Sequence, residues 1–526
     1  MHPLLYNITL IAAFASAAVV AIWILKWKQD WPLLERLVAA PLAGGALLFL
    51  AICAGSILQA PFFGWNGARL AQTFALVNGY PLYCPANSGA ILDTIYGPVS
   101  VLIYLPATLA GSPSTALVMA SAISGLLFFA PMAWLVARGG DGSLSRRIMM
   151  LAALLCFGFL AGRSAPLSYG AFSVHADAPA LGFAGLACVA LCLRKREEEW
   201  TLLAVSAVCA VLSVWSKQAM LLVPVTLAFC VWRMFGVTSL KRYVLVAGGA
   251  GLLLAAIFLL SFGASELFFN MVTVPGRHGW QGNRLTWLWL ATQELVSQSL
   301  LPLAVIAVLA LVRGRAVLAS PRWLVFVAVG TLNVPLALLS RVKVGGDVSA
   351  FSPALYFWLI GALLLLADTA LAEETKEPGV ARVAKAVWAV LLIGLLLGTP
   401  SRLSGLYRLT KLYRFNQQEA ACAILRKNAG QVYFPNNPLA HLMTEKKLYQ
   451  FSFGVINRRL GGYPVSEGHF RAYLPPNLKA VLFGSLWSPT ETLTHEATLS
   501  YLPGLTLQGR DQMGWVVYAR QQKPQP

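Results

Sequence analysis

The sequence predicts a multi-pass α-helical membrane protein of about 12 spans plus one re-entrant or membrane-lying helix, with a small C-terminal exterior α/β domain. Three observations lead there. Hydrophobic residues fill 58% of the 526 positions and charged residues 12%, a balance outside that of soluble domains. The apolar residues come in long runs, not in the alternating pattern of barrel strands, so helices must carry the backbone polar groups through lipid. After residue 400 the chain turns polar, with short apolar runs and abundant Asn, Gln and Pro.

Spans need roughly 17–25 apolar residues. They are read at 6–26, 38–58, 115–137, 148–165, 179–194, 201–216, 218–235, 243–262, 298–313, 322–340, 353–371 and 384–399. The first run carries Lys26 and Lys28 on its C-terminal side, the reverse of a secretory signal, so it is read as a retained span. The net charge of +19 does not point to nucleic acid. Lys and Arg gather instead in the short connections 26–37, 138–147, 194–200, 233–242, 313–322 and 372–385, which is the positive-inside pattern. All six connections share the cytoplasmic face if 98–111 does not cross. The opposite face then collects 59–97, 163–178, the turn at 215–218, 263–297 and 341–352.

Two domains follow: a transmembrane domain over 1–399 and an exterior, periplasmic soluble α/β domain over 400–526. Within the second, Gln417–Lys427 reads as a helix closed by Gly430, and 431–434 and 479–485 as strands. Residues 505–508 and 515–519 read as a hairpin around Met513 and Gly514. About 125 residues are enough for an independent small domain. Six of the eight cysteines lie in apolar runs as small hydrophobes; Cys84 and Cys422 fall in aqueous segments, where a disulfide is open to them.

The chemistry sits at the ends of the spans. Asp93 is the only carboxylate between Glu35 and Asp141, so it is the first loop's sole acid or base; a turn-capping role competes. Asp177, in His175-Ala176-Asp177-Ala178-Pro179, lies hard against an apolar span, where an ionisable group is costly and usually functional. It also fits as a helix N-cap before Pro179. His175 and Asp177, with Asp93 as a third oxygen ligand, form a candidate site for a divalent metal, Mg or Mn.

Lys217 and Gln218 occupy a turn with no room for a polar loop and are expected to face the interior. Arg341-Val342-Lys343-Val344-Gly345-Gly346-Asp347 puts two cations before a glycine pair, which suits close approach of an anion. Arg277 and His278 add further cationic groups beside Trp280. Interfacial snorkelling is the competing account of each cluster alone. There is no GxxxxGK[ST] phosphate loop. Tyr449, Phe451, Phe453 and Tyr463 in the tail are more readily small-domain core than ring faces for stacking a ligand.

These features come in a telling order: Gly79-Tyr80-Pro81-Leu82-Tyr83, then Tyr96-Gly97-Pro98, Asp177-Ala178-Pro179-Ala180, Lys217-Gln218 and Lys343-Val344-Gly345-Gly346. In that order residues 40–400 resemble the polytopic GT-C glycosyltransferases, especially bacterial mannosyl- and arabinosyltransferase-like members. The resemblance implies a polyprenyl-phosphate sugar donor, a glycan, lipid or protein acceptor, and a catalytic acid in the first exterior loop. It also implies a bacterial inner-membrane location with a periplasmic C-terminal domain. Many relatives carry an Asp or Asp-Glu just after the helix that precedes the first loop. Here that stretch, Phe62-Phe63-Gly64-Trp65-Asn66-Gly67, has no carboxylate, so the catalytic base falls to Asp93 or Asp177. Lys217, Gln218, Arg341 and Lys343 are then the donor-phosphate group, with Tyr96, His175, Arg277, His278 and Asp347 as further pocket candidates. A lipid-linked sugar flippase or a glycan ligase would share much of this pattern. A flippase would be expected to show pseudo-symmetric halves, and no internal repeat is seen.

Overall fold

The computed structural model describes residues 33–520 except 93, 140–143, 195–198, 320, 373–379, 381–382, 385, 389, 392–415 and 485–488. The predicted span at 6–26, most of that at 384–399, and Asp93 lie outside the described residues. Lipid offers the backbone no partners, so each apolar run closes its own hydrogen bonds as a helix. In chain order these are α1 (Leu33–Leu58), α2 (Gly64–Val77), α3 (Pro113–Gly139), α4 (Leu144–Arg163), α5 (Ala165–Phe172), α6 (Asp177–Leu193) and α7 (Trp200–Ser216). There follow α8 (Leu222–Phe262), α9 (Arg284–Arg313), α10 (Pro321–Leu332), α11 (Val334–Val342) and α12 (Ser352–Ala372). Six of the described helices are long and apolar enough to cross a membrane, or seven if the bent pair α4–α5 is one span. The protein is thus a multi-pass helical membrane protein. Helices α6 and α7, at 17 residues each, are about 26 Å long, just short of a typical hydrocarbon core.

Two expectations need correction. The segment 163–178 is not a polar loop: α5 fills half of it and turns 104° from α4, so the chain lies across the bundle end before α6 begins. The runs read at 218–235 and 243–262 lie on the two sides of a break in α8 at Gly236, inside the basic connection 233–242; the φ of 77° there is left-handed and open to glycine at little cost. Trp215, just before α8, packs its ring 5.0 Å from Phe258 near the end of α8, so the chain reverses at that break and returns to the end it left. The span read at 298–313 belongs to the 30-residue α9, which starts at Arg284 and is capped by Asn283, whose side chain accepts from the Leu285 and Thr286 amides. The stretch 98–111 holds only short helical turns at Val99–Leu102 and Leu105–Leu109.

The tail forms α13 (Gln417–Lys427), β1 (Val432–Tyr433), α14 (Pro438–Thr444), α15 (Ser452–Leu460), α16 (Glu467–Ala472), β2 (Ala480–Phe483), α17 (Pro489–Ser500), β3 (Leu505–Arg510) and β4 (Val516–Arg520). The sheet order is β1-β2-β4-β3; β1 runs parallel to β2, and the other pairs are antiparallel. Asn416 caps α13 by accepting from the Gln418 and Glu419 amides.

This tail does not keep its core to itself. Leu439, Leu442 and Phe451 share one buried cluster with Leu70, Phe74, Tyr104 and Leu117 of the membrane part. Ile91 of the first loop enters the sheet's own core beside Tyr433 and Phe470. The loop is clamped as well: the Arg458 guanidinium donates to the Cys84 and Ala86 carbonyls at 3.1 and 2.7 Å, and the Ile91 amide donates to Gln450 Oε1 at 2.9 Å. Cys84 and Cys422 are both free thiols: the Cys84 thiol donates to the Ala90 carbonyl at 2.8 Å, and Cys422 is buried in a cluster with Leu425 and Phe434. Tyr449 and Phe451 are core, while Phe453 stays half-buried against Trp65.

One end of the bundle gathers the segments expected on one face. Gln218 ties 215–218 to the first loop and to 263–297 by donating to the Ile95 and Met271 carbonyls, at 2.7 and 2.9 Å. His278 contacts the Asn457 carbonyl at 3.1 Å, and Asn416 donates to Ser114 at the start of α3. The helix directions send Arg138, Arg194 and Arg313 to the opposite end.

Candidate active site

Asp177 is the first residue of α6, with no exposed surface, and the chemistry of the site is built on it. Its backbone amide has no partner within the helix and lies 3.3 Å from His175 Nδ1, and a carboxylate is favoured at that positive terminus. Lys217 ends α7, where the chain switches from helix to extended backbone, and the turn aims its ammonium inward. Nζ lies 2.5 Å from Asp177 Oδ1. Ser352, at the start of α12, donates to the same oxygen at 3.3 Å. His175 Nδ1 lies 2.8 Å from Asp177 Oδ2. Burial outweighs the pull of Asp177 and lowers the imidazole to about 4, so at neutral pH it is uncharged and donates its Nδ1–H.

Aromatic rings wall this cluster. Tyr96 meets the His175 ring edge-on at 5.1 Å and Tyr169 meets it at 4.9 Å. Lys217 sits 5.6 Å from the Tyr96 ring centroid, and the Arg69 guanidinium 5.4 Å from the same ring. Arg69, on α2, escaped the sequence reading because it is a lone cation inside an amphipathic helix; its spacing of three from Asn66 was the available signal. Asn66 is buried and braces the approach to Asp177: its Oδ1 accepts from the Val174 amide at 2.8 Å, and its Nδ2 donates to the Ala60 carbonyl at 3.0 Å.

Tyr96, His175, Asp177 and Lys217 therefore come together. The remaining cations form a second group. Arg341 Nε donates to Glu294 Oε2 at 2.8 Å, a partner the sequence reading did not name. Lys343 Nζ donates to the Pro275 and Gly276 carbonyls at 3.1 Å each, and its backbone bridges that of Trp280. Carbonyls satisfy its hydrogen bonds without cancelling its charge. Arg277 lies 4.9 Å over the Tyr463 ring. Asp347 caps the turn that follows it by accepting from the Val348 amide at 2.6 Å.

Asp177 has little left to offer a metal. Among the described residues no three His, Cys, Asp or Glu side chains gather as a ligand set, and the positive charge beside Asp177 already comes from Lys217. The same donors make Asp177 a weak base: an ammonium, a hydroxyl and an imidazole N–H all hold its carboxylate ionised and directed.

Two clefts open nearby. One, of about 410 Å³, lies between α1, α4 and α5; its wall grades from Phe49, Ile52 and Phe172 to Ser56, Gln59 and Asn66. The other, of about 300 Å³, lies between α2 and the tail. Phe62 and Phe63 line both.

No family model and no curated protein matches the chain. Solved structures do. ArnT from Cupriavidus metallidurans bound to undecaprenyl phosphate aligns at TM-score 0.52 with 14% identity, over 90% of this chain and 98% of that one. The chain shares the fold of that protein. The apo state of the same ArnT aligns at TM-score 0.50 with 15% identity, over 90% and 98%. An Archaeoglobus fulgidus oligosaccharyltransferase in complex with Zn and sulfate aligns at 0.41 with 14% identity, over 90% of this chain and 73% of that one. At these identities the likeness speaks for the fold, and the chemistry has to be argued from this chain's own residues.

Proposed function

We propose that the protein is an integral-membrane glycosyltransferase that moves a sugar from a polyprenyl-phosphate donor to an acceptor, with inversion, at the bundle end that holds Asp177. One observation carries the reading: the buried Asp177–Lys217–His175 cluster meets the first loop at Tyr96, on a fold shared with a protein bound to undecaprenyl phosphate.

The cleft between α1, α4 and α5 suits the donor, since its apolar wall takes a prenyl chain and its polar rim faces the 173–175 turn. Cations at that end, Lys217 with Arg69 around Tyr96 and Lys343 with Arg277 beyond, stabilise the charge that grows on the departing phosphate. A carboxylate takes the proton of the acceptor hydroxyl, whose oxygen attacks the anomeric carbon from the face opposite the phosphate. The bond from that carbon to the phosphate oxygen breaks, and polyprenyl phosphate leaves with the electron pair. Asp177, held by three donors, acts in this scheme as a positioning residue that fixes Lys217 and His175. Asp93, the only acid of the first loop, is assigned the base. The positive-inside pattern supports a cytoplasmic arginine-bearing end and a site that faces outside with its tail; the bacterial inner membrane is the location that the resemblance implies.

The test is turnover in proteoliposomes, followed as release of free undecaprenyl phosphate from an undecaprenyl-phosphate sugar. Asp93→Asn is expected to lower the rate by about 10²–10⁴-fold, the usual contribution of a general base, and to leave the unfolding transition in place. Full turnover by Asp93→Asn overturns the assignment.

A further inference from the structure

The cleft between α2 and the tail has a lining that no step above uses. Among the described residues it holds aromatic rings, amides and not one charged side chain. Trp65 and Phe453 meet edge-to-face at 4.5 Å on one side, and Phe434 and Trp515 at 5.1 Å on the other. Between them stand the amides of Gln417, Gln418 and Asn436.

Two of these amides are unfinished. Gln418 is 5% exposed, and its Oε1 has no hydrogen-bond partner. Asn436 Oδ1 is likewise buried and without one. Leaving a buried acceptor unpaired costs about 1–3 kcal/mol, so such atoms need an account. The position of Gln418 is itself fixed: its side chain lies so close to Gly67 of α2 that a Cβ there would fall 2.9 Å from Nε2. Glycine is what lets the amide reach the cleft.

The lining selects its ligand by chemistry. A phosphate finds no cation here and meets two carbonyl-type oxygens. A hydrocarbon chain fits the rings but leaves both oxygens unpaired. A neutral sugar supplies what is missing, with C–H faces for the indole and phenyl rings and hydroxyl donors for the amide oxygens. The volume, about 300 Å³, lies at the small end of ligand pockets. We infer that this cleft is a saccharide subsite that binds a neutral sugar of the acceptor through Trp65, Phe453, Gln418 and Asn436. It shares Phe62 and Phe63 with the donor cleft, so the two clefts adjoin at the α1–α2 connection. The assignment to the acceptor rests on the transferase reading; saccharide binding itself does not.

The experiment uses the full chain in an ether-headed detergent that carries no sugar. Maltotriose, chitotriose and mannotriose are titrated while tryptophan fluorescence is followed, since Trp65 and Trp515 line the cleft. At least one trisaccharide is expected to shift the emission saturably. Gln418→Leu and Trp65→Phe are each expected to weaken it by about tenfold or more. Asn436→Ser, at the half-buried rim, removes the second acceptor with little risk to folding and is expected to weaken it as well. Three outcomes overturn the inference: none of the sugars binds, binding is indifferent to all three substitutions, or decanol or a neutral extended peptide shifts the signal in their place. Donor turnover without trisaccharide binding defeats this inference alone. Binding without donor turnover defeats the transferase reading and leaves the subsite standing.

Discussion

Asp177 and Lys217 form an ion pair with 0% and 8% of their surfaces exposed, so neither charge can turn to water if the other is removed. Lys217→Met leaves the carboxylate with one hydroxyl and one neutral imidazole N–H. Asp177→Asn leaves an ammonium sealed under the Tyr96 ring. Breaking a buried pair from one side costs about 3–5 kcal/mol, because the orphaned charge stays desolvated. The double variant carries no orphan and is expected to be no less stable than either single one. The coupling energy is therefore about 3 kcal/mol or more, far above the roughly 0.5 kcal/mol within which independent sites add. Denaturant unfolding of the four proteins in mixed micelles, followed by tryptophan fluorescence, measures it. Additive single effects would refute the reasoning and would mean that water or rearrangement compensates each charge separately.

Other perturbations separate the remaining claims. A Cβ at Gly97 would fall 1.8 Å from the Trp215 carbonyl oxygen. Gly97→Ala is thus expected to push the first loop off the 215–218 turn and to cost more than the usual 1–3 kcal/mol of overpacking, roughly; an unshifted unfolding transition would contradict this. Arg458→Met removes the donors that hold Cys84 and Ala86, and hydrogen exchange over 84–92 is expected to quicken while α3 stays protected. In the tail, His441 is buried, accepts from the Phe434 amide through Nε2, and reaches Glu445 through Nδ1 at 2.7 Å. Burial lowers its pKa below the ordinary histidine range, so the unfolded chain takes up a proton there that the folded one refuses. Burial works against Glu445, yet the His441 and Gly430 N–H groups outweigh it and lower that pKa too. Both effects give stability that is full above about pH 6.5, the unfolded histidine value, and is lost as the pH falls. Acid unfolding of the tail, read by circular dichroism, is expected to become less steep in His441→Gln; an unchanged profile would remove the pair from the account.

The parts of the fold written in local pattern were legible. Apolar runs gave the helices, and turn residues gave α13, β1, β2 and the β3–β4 hairpin close to where they stand. The shared end of the bundle followed from where the basic connections fall. What escaped depends on partners distant in the chain. Nothing local shows that Lys217 will find Asp177, 40 positions away, and not a phosphate, or that Arg341 will find Glu294. The sharp bend into α5 is held by packing, and Ser164 and Pro166 read as loop residues as easily as helix starters. The short helices α14 to α17 carry too few turns for a periodic signal, and part of their apolar surface meets the membrane domain, as the cluster of Leu439 and Leu442 with Leu70 shows.

The central claim is that this chain cleaves a polyprenyl-phosphate sugar and does not merely carry one. Proteoliposomes holding the protein and a set of undecaprenyl-phosphate hexoses and pentoses on both leaflets measure the two events at once. Mass spectrometry reads free undecaprenyl phosphate, and a leaflet-specific oxidation of the sugar reads its movement. The account predicts that, with an acceptor present, one donor is converted to undecaprenyl phosphate and a glycosylated product, and that Asp93→Asn stops the conversion. Movement of intact donor between leaflets, with no undecaprenyl phosphate released, would contradict it.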